Sequence, residues 1–111
     1  MSPFAFDTRS RSIDFGAIRS VAQRNAHAIC NRIIPGGRIV AGEYVVRNPK
    51  RADRRQGSFK INLQTGRWAD FATGDRGGDL ISLVAWLFDL TQAEAARRLA
   101  SLLSINPEAM R

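Results

Sequence analysis

The segment YVVRNPKRADRRQGSFKINLQTGRWADFATGDRGGDLISL, which runs from Tyr44 to Leu83, decides the fold of this chain. Between Ser58 and Leu63, apolar and polar residues alternate, as in a β-strand that buries one face. Thr65 and Gly66 follow this strand, and glycine supplies the positive φ that a tight hairpin requires. The centre of the chain is therefore predicted to be a β-hairpin, followed after a glycine-rich turn by an apolar helix.

Further strands and helices are predicted on both sides of this hairpin. The predicted strands comprise residues 43–47, 58–63 and 67–72, with a short fourth strand near Arg38 to Val40. Apolar residues recur at three- and four-residue steps from Ile13 to Ile34, which predicts one helix with Ser12 as its cap. The run from Asp79 to Phe88 is apolar nearly all round and predicts a well-buried helix capped by Asp79. Thr91 and Glu94 form a capping-box pattern that opens a last, amphipathic helix.

Length and composition fit one small domain. The 111 residues are enough for a single modest core, but not for a catalytic domain together with a separate binding domain. The predicted fold class is α+β, with a small three- to four-stranded antiparallel sheet packed against an N-terminal helix and two C-terminal helices. The domain is expected at residues 13–104, between a flexible arm at 1–12 and a tail at 105–111.

The charge of the chain predicts an acidic partner. Its 17 basic and 10 acidic side chains give a formal net charge of +7, and most of the basic residues are arginine, which pairs phosphate in a planar, bidentate geometry. The alternative is that the charge only promotes solubility. Cys30 is the only cysteine, and the sequence shows neither a signal peptide nor an apolar run of about eighteen residues. We therefore expect a cytoplasmic protein without a disulfide or a membrane partner.

Four short motifs occur in a fixed order around the hairpin. They are Asn48-Pro49-Lys50-Arg51, Gly57-Ser58-Phe59, Asp70-Phe71-Ala72-Thr73 and Gly78-Asp79. This order strongly resembles the N-terminal zinc-binding, zinc-ribbon domain of bacterial and phage DNA primases. There, Cys-Pro-x-His, Pro-Ser-Phe, Cys-Phe-x-Cys and Gly-Asp occupy the corresponding places. The resemblance is good from Tyr44 to Leu87 and implies the fold of that domain.

The positions that hold zinc in the family have lost their ligands here. They carry Asn48, Arg51, Asp70 and Thr73, of which only Asp70 is a good zinc ligand, whereas a structural site needs four. We therefore expect a chain that folds without metal and has no cofactor. The resemblance implies that Arg51 and Asp70 lie close together, so we expect an ion pair in place of the metal, with hydrogen bonds from Asn48 and Thr73. It also implies that Phe71 packs in the core.

A basic cluster surrounds the first of these positions and is the strongest functional signal. Such a cluster repels itself, and phosphate groups relieve that repulsion. Trp68 is a candidate for stacking a base beside these cations, as is Tyr44, although burial of Trp68 against the first helix is an equal alternative. The candidate nucleic-acid-binding residues are Arg47, Lys50, Arg51, Arg54, Arg55, Lys60, Arg67, Trp68 and Arg76.

Other motifs carry less weight. His27 and Cys30 are one helical turn apart, but two ligands do not make a metal site, and a core thiol beside a partly exposed imidazole is the simpler interpretation. The segment Gly74 to Asp79 lacks the ending of a phosphate-binding Walker loop. In primases the polymerising chemistry belongs to a separate acidic domain, for which this chain has no room, so we expect no enzymatic activity.

The function that the resemblance and the charge favour is single-stranded DNA template recognition, in a primase or replication protein of a phage, plasmid or other mobile element. The expected partners are DNA and either a primase catalytic domain or a helicase. The alternative is a protein-interaction or regulatory adaptor that retains the ribbon scaffold without binding DNA. A further alternative is that the chain is the front end of a longer primase-helicase.

Overall fold

The computed structural model describes residues 12–50 and 58–105, in which a five-stranded antiparallel sheet packs against four helices. The helices are α1 (Phe15–Arg24), α2 (Ala26–Ile33), α3 (Leu80–Phe88) and α4 (Gln92–Leu102). The strands are β1 (Arg38–Val40), β2 (Glu43–Val46), β3 (Phe59–Asn62), β4 (Trp68–Asp70) and β5 (Arg76–Gly77), in the order β1-β2-β3-β4-β5. The predicted α+β class is confirmed, as is the short strand near Arg38 to Val40.

The first helical segment differs from the single helix that its periodicity predicts. It is broken at Asn25, where φ is −118° and ψ is 26°, and the Asn25 side chain donates to the Val21 carbonyl oxygen at 2.8 Å. Asparagine competes with the helical backbone for hydrogen bonds in this way, which favours helix ends over helix interiors. The predicted cap Ser12 is also wrong, because Asp14 caps the helix and its side chain accepts the backbone N–H of Ala17, in the first turn, at 3.0 Å.

The sheet has one strand more than predicted. β5 lies in the glycine-rich segment that the sequence indicates as a turn, and it pairs Ala69 with Arg76 and Trp68 with Gly77. Gly74, at φ +86°, turns the chain back after β4 so that this pairing can form. The turn between β3 and β4 is confirmed, with Gly66 at φ +82°.

The two C-terminal helices begin as the sequence predicts. Asp79 accepts the Ser82 backbone N–H at 2.8 Å and caps α3, and the Ser82 hydroxyl faces the Asp79 backbone in return. Thr91 and Glu94 form the corresponding capping box at α4, with hydrogen bonds of 2.9 and 3.1 Å. Reciprocal caps of this kind satisfy backbone donors that a helix start leaves open.

The core lies between the helices and one face of the sheet. Its largest fully buried side chains on the sheet are Tyr44, Phe59 and Ile61, which meet Ile18 of α1 and the apolar residues of α3 and α4 in one cluster. Burying an aliphatic or aromatic side chain stabilises the fold by roughly 1.5–3 kcal/mol. Within residues 12–50 and 58–105, no helix is both long enough and apolar enough to cross a lipid bilayer.

Candidate nucleic-acid interface

The face of the sheet that points away from the helices carries a row of cationic side chains. Strand pairing aligns Arg38, Val45, Lys60, Ala69 and Arg76 across all five strands. Directly paired residues of antiparallel strands point to the same side, so these five side chains share one face. Adjacent strands lie about 4.8 Å apart, which places the three cations of this row at intervals of roughly 10 Å.

Two further arginines extend this row into a cationic surface. Arg47 is exposed directly after β2, and Arg67 is exposed directly before β4, where its carbonyl oxygen accepts from the Asn62 backbone. We call the resulting surface the open face, and its cations are Arg38, Arg47, Lys60, Arg67 and Arg76.

A groove of about 320 Å³ lies on the open face. Lys60, Arg67 and Arg76 line it, and among the described residues Glu43 is the only acidic side chain in its lining. A groove with three cations and one carboxylate has a positive potential that attracts phosphate groups.

Two aromatic residues line this groove, and Phe71 is the exposed one, whereas Trp68 is buried. The Phe71 side chain is 72% exposed, and the Lys60 ammonium lies 5.8 Å from the centre of its ring. The prediction that Phe71 packs in the core is therefore wrong. Because residues alternate along β4, Phe71 points to the same face as Ala69, and that face is the open one.

Trp68, predicted as a stacking residue, is buried instead, with only 4% of its surface exposed. Its partner across the strands is Ile61, which faces the core. The indole ring packs 5.0 Å from Trp86 and 6.2 Å from Phe59, between ring centres, and its N–H donates to the Ser82 hydroxyl at 3.0 Å. α3 thus offers both an aromatic surface and a hydrogen-bond acceptor, which makes burial of this tryptophan favourable.

Tyr44, the other predicted stacking residue, is also in the core. Its hydroxyl donates to the Ile34 carbonyl oxygen at 2.8 Å and accepts from the Gly37 N–H at 3.1 Å. The ring therefore fixes the chain reversal between α2 and β1. Both tryptophan and tyrosine are amphipathic, and here each uses its polar atom inside the protein.

Two of the four positions that the resemblance aligns with zinc ligands are in direct contact. Asn48 and Asp70 are buried, at 3% and 0% exposure, and the Asn48 side-chain amide donates to the Asp70 carboxylate at 2.7 Å. Each side chain also closes a tight turn, since Asn48 accepts from the Lys50 N–H and Asp70 from the Ala72 N–H, both at 2.8 Å. A buried side-chain pair thus joins the turn after β2 to the turn after β4.

The predicted ion pair between Arg51 and Asp70 stays a prediction. Arg51 lies outside the described residues, as do Arg54 and Arg55 of the basic cluster. Thr73 interacts with Asp70 through its backbone N–H, at 3.3 Å from the Asp70 carbonyl oxygen, while its hydroxyl donates to Asp75 at 2.9 Å. Among residues 12–50 and 58–105, no group of three or more His, Cys, Asp or Glu residues could hold a metal ion.

Lys50 is separate from the open face. Its ammonium lies 2.7 Å from the Asp89 carboxylate, just past the end of α3, and 5.3 Å from the centre of the Trp86 ring. Asp89 is 84% exposed, so the pair contributes little stability by itself. It does tie the turn after β2 to α3, which means that a phosphate would have to compete with Asp89 for Lys50.

His27 and Cys30 fit the structural interpretation of the sequence. His27 is exposed and lies 3.2 Å from the Asn31 amide. Cys30 is fully buried, and burial raises the pKa of its thiol to about 12, so it stays protonated at neutral pH and is a weak nucleophile.

The structure therefore brings together Arg47, Lys60, Arg67 and Arg76 of the predicted site, and it removes Trp68 from the surface. Sequence reasoning missed Arg38 and Phe71. Arg38 begins the short strand that was expected. Trp68 and Phe71 lie three residues apart on an extended strand, so only one of them can face the core. The partner for the indole on α3, Ser82 with Trp86, was the signal that could have decided between them.

The sequence matches no protein-family model and no curated protein. The fold is nevertheless similar to the crystal structure of the Aquifex aeolicus primase, which comprises the zinc-binding and RNA polymerase domains. The TM-score is 0.67 at 21% sequence identity, over 90% of this chain and 24% of that chain. This chain thus spans about a quarter of that primase chain. The similarity supports a primase-like, zinc-ribbon-like fold.

Proposed function

We propose that this chain is a nucleic-acid-binding module that recognises single-stranded DNA through the open face of its sheet. The observation that carries the proposal is the combination of five cations with an exposed aromatic ring on a single surface. Arg38, Lys60 and Arg76 form one row across the strands, and Phe71 is 72% exposed beside Lys60. Phosphates bind the cations without regard to sequence, whereas a base stacks on the ring.

A single strand fits this surface better than a duplex does. Stacking on Phe71 requires an unpaired base, because the faces of paired bases are covered by their neighbours. The groove beside the ring lies on the surface of a β-sheet, which offers no helix to enter a major groove. The expected complex therefore places one or two bases at Phe71 and the flanking phosphates at Lys60, Arg67 and Arg76.

The wider role that we propose is template recognition in a primase or replication protein of a phage, plasmid or other mobile element, within the cytoplasm. The similarity to a quarter of the Aquifex aeolicus primase chain supports this role. The module would then act beside a primase catalytic domain or a helicase, and it would not itself polymerise. Accordingly, the chain alone should make no primer from a single-stranded template and ribonucleoside triphosphates. Primer synthesis by the purified chain would contradict this part of the proposal.

The direct test of binding is fluorescence anisotropy with a labelled twelve-nucleotide single strand at several salt concentrations. We expect affinity to fall steeply between about 50 and 200 mM salt, because counterions are released when phosphates bind. Lys60→Ala should weaken binding and lower the slope of log affinity against log salt by about 0.7, the value for one phosphate contact on a single strand. Arg24→Ala is the matched control, since Arg24 is an exposed cation at the end of α1.

Two results would overturn the proposal. One is the absence of binding at 50 mM salt. The other is an equal loss for Lys60→Ala and Arg24→Ala, which would mean that only the net charge of the chain matters. Affinity that does not respond to salt would instead favour the adaptor alternative, in which the scaffold binds a protein through apolar contacts.

A further inference from the structure

The helical layer has a groove that the proposed function does not use. It has a volume of about 330 Å³ and lies where the ends of three helices meet. Ile33 ends α2, Phe88 ends α3 and Leu102 ends α4, and together they form its apolar part. Arg32, Arg98 and Ser101 complete its lining. These helices pack on the buried face of the sheet, so the groove is remote from the open face.

Phe88 is the residue that sets this groove apart from ordinary surface. The sequence predicts that α3 is well buried, and Leu80, Ile81, Leu83 and Val84 are indeed buried. Phe88 instead exposes 44% of its side chain next to Ile33 and Leu102, which are only partly covered. A cluster of large apolar side chains that stays open to water is typical of an interaction site.

The charged side chains in the described lining of the groove have one sign. Glu94, one turn before Arg98 on α4, lies outside this lining but interacts electrostatically with Arg98. Arg32 and Arg98 are both exposed, and the described lining contains no carboxylate. The ion pairs of residues 12–50 and 58–105, Arg19–Asp79 and Lys50–Asp89, do not involve either arginine. An apolar floor between two arginines is complementary to a partner that is apolar on one side and acidic at its edges.

The size of the surface indicates what kind of segment it accepts. A second depression continues the groove along α2, shares Arg32 and Leu102 with it, and also has no acidic residue in its described lining. α2 has eight residues, which at 1.5 Å per residue gives a length of about 12 Å. That length matches roughly two turns of a helix, the usual unit that lays an apolar stripe into a groove.

We propose that this groove docks an acidic amphipathic helix of a partner protein. Leucine-like side chains of the helix enter between Ile33, Phe88 and Leu102, and its carboxylates pair with Arg32 and Arg98. A nucleic acid is less well matched, because the floor of this groove is mostly aliphatic, whereas the cationic row of the protein lies on the open face of the sheet. This site and the open face are separate, so the chain can hold DNA and a protein partner at once.

The experiment uses a fluorescein-labelled peptide with leucines at positions i, i+3, i+4 and i+7 and glutamates at most other positions. Its controls are a scrambled peptide of the same composition and a version with lysine in place of glutamate. We expect the acidic amphipathic peptide alone to bind. Arg98→Glu and Phe88→Asp should each weaken binding of this peptide about tenfold or more. The first variant reverses a charge that pairs with the glutamates, and the second places a charge in the apolar floor. Arg97→Glu is the matched control, because Arg97 is an exposed arginine on the same helix but does not line the groove.

Several results would refute docking at this site. They are no binding of the acidic peptide, equal binding of the scrambled peptide, and equal losses for Arg98→Glu and Arg97→Glu. Displacement of the peptide by a twelve-nucleotide single strand would show that the groove belongs to a nucleic acid instead. Lys60→Ala should leave the peptide affinity unchanged, so the test stands whether or not the open face binds DNA. When the acidic peptide is added to the wild-type protein, NMR amide shifts should change around Ile33, Phe88 and Leu102. This measurement uses no variant, so it does not depend on whether a variant folds.

Discussion

At the scale of single residues, the exchange of Trp68 and Phe71 decides what the sheet can bind. Only one of these rings can face the core, because they lie three residues apart on an extended strand. Trp68 is the buried one since its indole N–H reaches Ser82 and its ring packs on Trp86. The alternation follows from strand geometry, but the choice between the two rings depended on a contact with a distant helix that no local pattern shows.

Phe71→Ala should therefore weaken binding of single-stranded DNA while leaving the fold intact. The expected loss is on the order of 1–3 kcal/mol, or roughly 5- to 150-fold in affinity, which is the range for removing one stacked base contact. Anisotropy titration at fixed salt measures it. Phe88→Ala is the matched control, because Phe88 is also an exposed phenylalanine but lies on the helical layer. Equal affinities for Phe71→Ala and wild type would exclude stacking at this ring.

Asn48 and Asp70 form a buried side-chain pair that joins the turn after β2 to the turn after β4. Asn48→Ala removes a side-chain donor to a buried carboxylate, and we expect it to lower the free energy of unfolding by about 1.5–3 kcal/mol, as for hydrogen bonds to charged groups. Urea denaturation followed by tryptophan fluorescence measures the change. Thr73→Ala, at an exposed neighbouring position, should cost less than about 1 kcal/mol. If Asn48→Ala is as mild as Thr73→Ala, the side-chain pair does not support the two turns.

At the scale of elements, most of the local signals in the sequence were reliable, with the predicted cap Ser12 as the exception, whereas the tertiary ones were not. Asp79, Thr91 and Gly66 all act where the sequence placed them, since caps and hairpin turns depend on only a few neighbouring residues. β5 was missed because two residues beside glycines carry no strand pattern, and their pairing follows from the position of β4. The break at Asn25 was missed because apolar periodicity continues through it.

β5 approaches the helical layer closely at Gly77, and this contact can be tested. A Cβ atom there would lie 2.5 Å from the Trp68 indole nitrogen and would also collide with the Ser82 hydroxyl. Gly77→Ala should therefore destabilise the protein by roughly 1–3 kcal/mol, the cost of overpacking a well-filled site. Gly78→Ala is the control, because nothing lies within 4 Å of a Cβ at that glycine. Equal midpoints in urea for both variants would show that β5 does not pack as described.

The start of α3 predicts a specific dependence of stability on acid. Burial acts to raise the pKa of Asp79, but hydrogen bonds from Ser82 and the nearby Arg19 guanidinium outweigh it, so the pKa lies below its ordinary value of 3.8. A carboxyl whose pKa is lower in the folded state stabilises the fold above its unfolded-state pKa. This contribution is lost as the pH falls through the folded-state pKa.

Asp79→Asn keeps a side-chain oxygen at the cap but removes the charge. We expect the variant to lose stability at pH 7 and to show a flatter decline below about pH 4 than wild type, measured as the urea midpoint at each pH. Asp75→Asn serves as the control, because Asp75 is an exposed carboxylate that caps no helix. If the urea midpoints of wild type and Asp79→Asn fall equally steeply below about pH 4, Asp79 is not the source of this dependence on acid.

At the scale of the whole molecule, the chain separates a cationic sheet face from an apolar, arginine-flanked helical groove. The fold class and the basic character were readable from the sequence, because both depend on composition and periodicity. The open face could be predicted only in part from the sequence. Its cations Arg47, Lys60, Arg67 and Arg76 were identified, but Arg38 and Phe71 were found only from the strand register. A register fixes which side chains share a face, and it depends on pairings between distant segments.

The central claim is that the open face of the sheet binds single-stranded DNA, and an NMR titration with a ten-nucleotide single strand tests it most directly. The account predicts that amide shifts change at Lys60, Ala69, Phe71 and Arg76, which share the open face, and that residues of α2 and α4 stay unchanged. Shift changes confined to the helices, with the strands unaffected at saturating oligonucleotide, would contradict it.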